Sequence, residues 1–230
     1  MTEWIRFNYK QDTSLFGILA GDYVDEYEGN LFETPKPTGR RISSNEVQLQ
    51  APLEPHSIYA LWNNFHERAE KEEQTIPDVP LYFMKPLTSV IGPEQTIYRP
   101  QGHQGRVIFE AELGIVIGSK CREIKESEAA EYIFGYTCVN DVTAVEFLFE
   151  DKAFQQWTRC KGFDTFTPIG PCIATGIDPA RLQVKAVQND ETRQDYLVSD
   201  MIFSPLQIVS MMSHYQTLRP GDLILSLIHI

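Results

Sequence analysis

The stretch Val107-Ile108-Phe109-Glu110-Ala111-Glu112-Leu113-Gly114-Ile115-Val116-Ile117 constrains the fold of this chain more than any other, because it sets two carboxylates inside the longest strand signal. The odd-numbered positions from Phe109 to Ile117 are all apolar. Strand alternation therefore places Glu110 and Glu112 together on the opposite face, about 7 Å apart. Two like charges at that spacing on a hydrophobic strand repel each other and are costly to bury unpartnered. Either that face is solvated or a cation resolves the conflict.

A third acid favours the cation. Gly135-Tyr136-Thr137-Cys138-Val139-Asn140-Asp141 reads as a second buried strand, ending with a short carboxylate where strand gives way to loop. Alone, Asp141 would be a turn or capping residue. With Glu110 and Glu112 it completes a hard oxygen donor set that suits Mg²⁺ or Mn²⁺, accommodates Ca²⁺ and does not suit Zn²⁺. Lys161 follows among aromatic residues and glycines, from Trp157 to Pro171. Taken alone it reads as a surface lysine. Held at a pocket edge beside the acids, its ammonium would stabilise an enolate or oxyanion.

Composition narrows the setting. At 230 residues the chain has room for one main core with a small appendage, and no apolar run approaches the roughly 20 residues needed to cross a bilayer. The start, Met1-Thr2-Glu3-Trp4-Ile5-Arg6, lacks the basic-then-apolar order of a secretory signal, so a cytoplasmic location is expected. A net charge of −12 with dispersed Lys and Arg argues against nucleic acid as a partner. Four scattered cysteines read as reduced, mostly buried thiols.

Residues 1–50 form an expected small β-rich domain, with strands at Trp4–Tyr9 and Ser14–Leu19 and a linker or surface loop at Thr34–Gly39. Residues 51–230 form the expected metal-binding catalytic domain. Within it, Ser57–Trp62 reads as a strand leading into a helix over Asn63–Lys71, and further helices are expected at Lys125–Ile133 and Pro205–His214. Few helices among many strands predict a β-rich α+β fold.

Three linked segments carry a family resemblance. Phe109–Gly118 resembles the E-x-E-L strand of the fumarylacetoacetate hydrolase family, Gly135–Ala144 its G-Y-x-x-x-N-D-x-[ST]-A segment, and Lys161–Pro171 its K-G-F-D-T-x-x-P-x-G-P segment. The similarity runs from about residue 50 to 225 and includes Phe83-Met84-Lys85-Pro86. It implies a mixed β-roll, usually a homodimer, with Glu110, Glu112 and Asp141 as Mg²⁺ or Mn²⁺ ligands and with Lys161 and Asp164 beside a small oxo-acid substrate. The implied reaction is metal-dependent hydrolysis of a carbon–carbon bond in an acylpyruvate-like or fumarylacetoacetate-like acid. The alternatives are an isomerase or decarboxylase of related acids, or a catalytically impaired relative that keeps the metal.

Three departures from the family pattern bear on those expectations. Val145-Glu146-Phe147-Leu148 stands where many relatives read R-D-x-Q, so the Arg and Gln that help seat substrate in hydrolytic members are absent. Relatives carry N-Y-x-x-H-x-x-E, whereas Asn64-Phe65-His66-Glu67-Arg68-Ala69-Glu70 offers His66 and Glu70 as the acid–base candidates at a different spacing, four apart on one helix face. His103, in a glycine-rich loop, is a weaker candidate base. Finally, relatives continue into a G-T-P turn where this chain reads Ser226-Leu227-Ile228-His229-Ile230, so a truncated carboxyl terminus lacking the pocket-closing loop is expected.

Overall fold

The computed structural model describes residues 1–226; the tail at 227–230, on which the truncation expectation falls, lies outside the described residues. Alternating apolar residues at the start of the chain build an antiparallel meander of β1 (Thr2–Tyr9), β2 (Asp12–Ala20), β3 (Tyr23–Glu28) and β4 (Lys36–Ser43). Ile5, Phe7, Val24 and Ile42 bury its small core, and β5 (Gln48–Gln50) pairs with β1. The linker expected over Thr34–Gly39 is instead largely the start of β4, which takes in Pro37. That strand lies at the sheet edge, where a proline without an N–H breaks no ladder. Gly39, at φ 83°, sits where the register with β3 shifts.

The rest of the chain supplies β6 (Ile58–Trp62), α1 (His66–Lys71), β7 (Leu81–Met84), β8 (Val90–Ile91), β9 (Val107–Ile108), β10 (Ala111–Ile117), β11 (Ile133–Asn140) and β12 (Thr143–Ala144). It continues through α2 (Trp157–Lys161), β13 (Thr167–Thr175), β14 (Gln183–Gln188), β15 (Glu191–Leu197), α3 (Pro205–Tyr215) and β16 (Leu223–Leu225). One mixed sheet runs β4-β3-β2-β1-β13-β11-β10-β16-β6-β7. The pairing of β1 with β13 continues the amino-terminal strands into the main sheet, and β16 fills the place between β10 and β6, parallel to β6. The architecture is the expected β-rich α+β fold.

The main core gathers Ile58, Leu61, Ile115, Ile117, Ile173 and Leu223 from the sheet with Ile208 and Met212 from α3. Ser204 caps α3, accepting from Gln207 N while Gln207 Oε1 accepts from Ser204 N, and Pro205 occupies the first turn. Two further local expectations change. The segment Val107–Ile117 is not one strand: the chain leaves the main sheet at Phe109–Glu110 so that β9 can pair with β12. Residues Glu126–Tyr132 form a 3₁₀-helix rather than an α-helix, the turn closing with Glu128 N on Lys125 O. The β14–β15 hairpin, turning on Asn189 and Asp190 at positive φ, and the short α2 were not anticipated. Among the described residues no helix is long and apolar enough to cross a membrane.

Candidate metal centre

The break in the strand is what builds the site. Glu110 stands at the crossover between β9 and β10, its backbone held on both sides: Glu110 N donates to Asn140 Oδ1 (3.2 Å) and Asp141 N donates to Glu110 O (2.8 Å). Glu112 follows on β10, opposite Val139 of β11. Glu110, Glu112 and Asp141 are all buried, and each contributes a carboxylate oxygen to a group lying within 4.8 Å of one another. The apolar alternation read from the sequence does not mark an exposed opposite face, because Glu112 to Ile117 are buried on both faces of the sheet.

Two lysines close the cluster. Lys161, at the carboxyl end of α2, ion-pairs with Glu110 and lies 2.6 Å from Asp141 Oδ2. Lys85, just after β7, ion-pairs with the other oxygen of Asp141 and donates to the Phe166 carbonyl at 3.0 Å. Both side chains are fully buried. Lys161 is thus neither the surface residue its sequence context alone suggests nor a pocket-edge group: it lies inside the acid cluster. Lys85 was given no role from the sequence. The signal that could have found it is a lone lysine between the apolar Leu81–Met84 strand and a proline.

The elements that bring the lysines together are packed tightly. Thr158 Oγ1 of α2 donates to Met84 O (2.8 Å), and a Cβ added at Gly162 would sit 2.4 Å from Thr158 O and 2.7 Å from Pro86 Cδ. Only a glycine lets the end of α2 rest on the Lys85-Pro86 segment. The Phe166 carbonyl also accepts from Val142 N at 3.1 Å, so one oxygen ties Lys85 to the loop beyond Asp141.

Electrostatics follow from this geometry. Burial, reinforced by the charges of Asp141 and Glu110, holds the Glu112 carboxyl well above the ordinary carboxylate range. Burial also lowers the Lys85 ammonium, against the pull of Asp141. For Lys161 burial acts in the same sense, but Asp141, Glu110 and Glu112 outweigh it and hold the pKa above the usual lysine value. Two buried ammonium groups thus sit against three buried carboxyl groups in a dry site, and the raised Glu112 shows how costly it is to hold all three ionised there. Three convergent carboxylates are the donor set of a hard divalent cation, so the residues present fit Mg²⁺ or Mn²⁺.

The remaining candidates lie apart from this cluster. His66 and Glu70 are exposed on α1 and make no side-chain hydrogen bond or ion pair among the described residues; Asp200 instead accepts from Glu67 N on that helix. Asp164 is an exposed residue ahead of β13. His103 is buried, stacked on Phe147 with ring centroids 4.9 Å apart and Nε2 3.4 Å from Glu146. Phe147, in the segment that departs from the family pattern, packs on Phe163, which packs on Phe166 beside the lysines. An apolar wall therefore runs from the departing segment to the Phe166 that holds Lys85, while the positions of the missing polar pair are the apolar Val145 and Leu148. Glu112 borders a cleft of about 550 Å³ that Tyr136, Val139 and Val184 also line.

Comparison with known proteins agrees with this architecture. Residues 57–226 match the family described as fumarylacetoacetate (FAA) hydrolase C-terminal, and residues 3–52 match Rv2993c-like, N-terminal. An uncharacterized protein of Archaeoglobus fulgidus is 42% identical over 207 residues, covering 90% of this chain and 79% of that one. Among solved structures, 2-hydroxyhepta-2,4-diene-1,7-dioate isomerase from Mycobacterium marinum superposes with a TM-score of 0.87 at 34% identity, covering 98% of this chain and 86% of that one. The 5-carboxymethyl-2-hydroxymuconate delta-isomerase from Mycobacterium smegmatis does so with a TM-score of 0.88 at 34% identity, covering 97% and 87%. With three quarters of its length matched and the buried acid cluster in place, the chain belongs to the fumarylacetoacetate hydrolase family.

Proposed function

We propose that the chain is a divalent-metal-dependent enzyme that enolises 2-oxo or enol carboxylic acids, with Glu110, Glu112 and Asp141 as the metal ligands. The observation that carries this reading is the burial and convergence of three carboxylates in one cluster that also holds two lysines. When bound, Mg²⁺ or Mn²⁺ supplies a Lewis acid to the oxygens of the substrate. Lys161 contributes positive charge where an enolate develops, and the Phe147–Phe163–Phe166 wall keeps water from that charge. His66, with Glu70 on the same face of α1, is the proposed proton carrier, its exposed imidazole able to exchange protons with solvent. Asp164 is the proposed outer contact for substrate.

Proton transfer without bond cleavage is the first reading of the reaction. It is supported by the two isomerases that superpose on nearly the whole chain and by the apolar replacement of the polar pair at Val145–Leu148. Hydrolysis of an acylpyruvate-like carbon–carbon bond is the second, favoured by the family match itself. A proton NMR experiment in D₂O separates them, using 2-hydroxyhepta-2,4-diene-1,7-dioate and an acylpyruvate. Isomerisation or deuterium uptake that requires Mg²⁺ supports the first, and release of pyruvate supports the second. Neither, with Mg²⁺ or Mn²⁺ present, would overturn the enzymatic reading. The metal assignment has its own check. Millimolar Mn²⁺ should raise the melting temperature, and Glu110→Gln with Glu112→Gln should abolish the rise.

A further inference from the structure

The two lysines of the acid cluster are held differently. Lys85 has one charged and one neutral acceptor: Asp141 and the Phe166 carbonyl, the latter fixed by its second hydrogen bond from Val142 N. Among the described residues Lys161 has only charged partners, Glu110 and Asp141, both members of the proposed ligand set. A divalent cation drawn to the same carboxylates competes directly with Lys161. Lys85, by contrast, keeps an anchor outside the ligand set and holds Asp141 by a single oxygen, leaving the other available.

We propose that Lys85 is a positioning residue that fixes Asp141, and that Lys161 is the exchangeable counter-ion whose hold on Glu110 and Asp141 a divalent cation loosens. The inference rests on the metal-binding reading above. Its physical basis is that three carboxylates cannot stay converged in a dry site without compensating charge, so the lysines preserve the site before metal arrives. Once a cation shares the carboxylates, Lys161 is repelled by it and its ammonium becomes available to an anionic ligand. Lys85 is retained because the Phe166 carbonyl still satisfies it.

The signs of two substitutions separate this from simpler accounts. If charge alone governed, Lys85→Met and Lys161→Met would both bind Mn²⁺ more tightly, since each removes a positive charge. If both lysines were merely structural, both variants would bind more weakly. The proposal expects a split. Isothermal titration with Mn²⁺ should show Lys161→Met binding about tenfold tighter or more, whereas Lys85→Met should bind about 10- to 100-fold more weakly, as when a residue that orients a metal ligand is lost.

The wild-type chain provides a measurement that does not depend on variant folding. In ¹⁵N-lysine NMR, buried ammonium groups exchange slowly enough to be seen, and Mg²⁺ should shift one of the two protected signals strongly and the other little. Two variants moving in the same direction, or two ammonium signals responding alike, would overturn the proposal while leaving the metal site intact. Absence of any Mn²⁺ or Mg²⁺ binding to the wild type would instead overturn the metal reading, and this inference with it.

Discussion

A buried ion pair whose partner is deleted leaves an uncompensated charge, and the acid cluster has little margin for that loss. Without metal, Lys161→Met should therefore lower stability by about 3–5 kcal/mol, and saturating Mn²⁺ should restore much of it. Thermal denaturation with and without Mn²⁺ reads both effects. The neighbouring thiol gives a pH-dependent check. Burial pushes Cys160 up to about 12, only partly offset by Lys161, and burial pushes Cys172 up to about 11. The reactive thiolate is then a fraction of about 10⁻⁴ for Cys160 at pH 8. Iodoacetamide should leave Cys160 unmodified in the native chain at pH 8. Labelling of Cys172 should rise only as the pH climbs toward 11; Cys138 is an exposed residue, but its thiol is also pushed up by burial, so its labelling too should increase with pH. Rapid native labelling of Cys160, followed by mass spectrometry, would contradict the burial described. At this scale the sequence disclosed the carboxylates well, because acids inside apolar strands conflict with burial unless something compensates them. It disclosed the lysines poorly. Their burial depends on partners 51 and 56 residues away in the chain, which the local pattern around each lysine does not identify.

Elements carry the same lesson. The strands rich in apolar residues, β1, β2, β6 and β11, were readable because burial imposes its pattern on the sequence. The features the sequence pattern does not carry are those decided by neighbours: β4 extends through Pro37 because it is an edge strand, and Val107–Ile117 breaks because β12 competes for β9. The five-residue α2 is too short to show a period at all. Its placement depends on contact rather than pattern, and that gives a prediction. In Gly162→Ala the added methyl meets the Thr158 carbonyl and the Pro86 ring, so α2 must lift from the Lys85-Pro86 segment. A loss of about 1–3 kcal/mol is expected from overpacking. Mn²⁺ affinity should fall as well, since both lysines are attached to the two elements being separated. Unchanged affinity in calorimetry would mean that the α2 contact does not position the site.

For the whole molecule, the continuous sheet joins the amino-terminal strands to the strands of the acid cluster through β13, which touches β1 on one side and β11 on the other. The family resemblance suggests a homodimer; light scattering should then return twice the 26.4 kDa chain mass. A mass equal to one chain would remove that expectation. The placement of β16 has a consequence for how the protein is made. Strands β10 and β6 flank it, yet β16 comes near residue 225 while β6 begins at residue 58. A ribosome therefore emits both flanking strands long before their shared neighbour. Until Leu225 emerges, the nascent chain carries two unsatisfied strand edges, one of them on the strand that bears Glu112. Closing so long a loop is entropically slow, and exposed edges in the interval invite pairing with other chains. Acquisition of Mn²⁺ binding should then occur late and abruptly in synthesis: stalled chains ending before Leu223 should take up none, and those extended past Ser226 and clear of the exit tunnel should bind it.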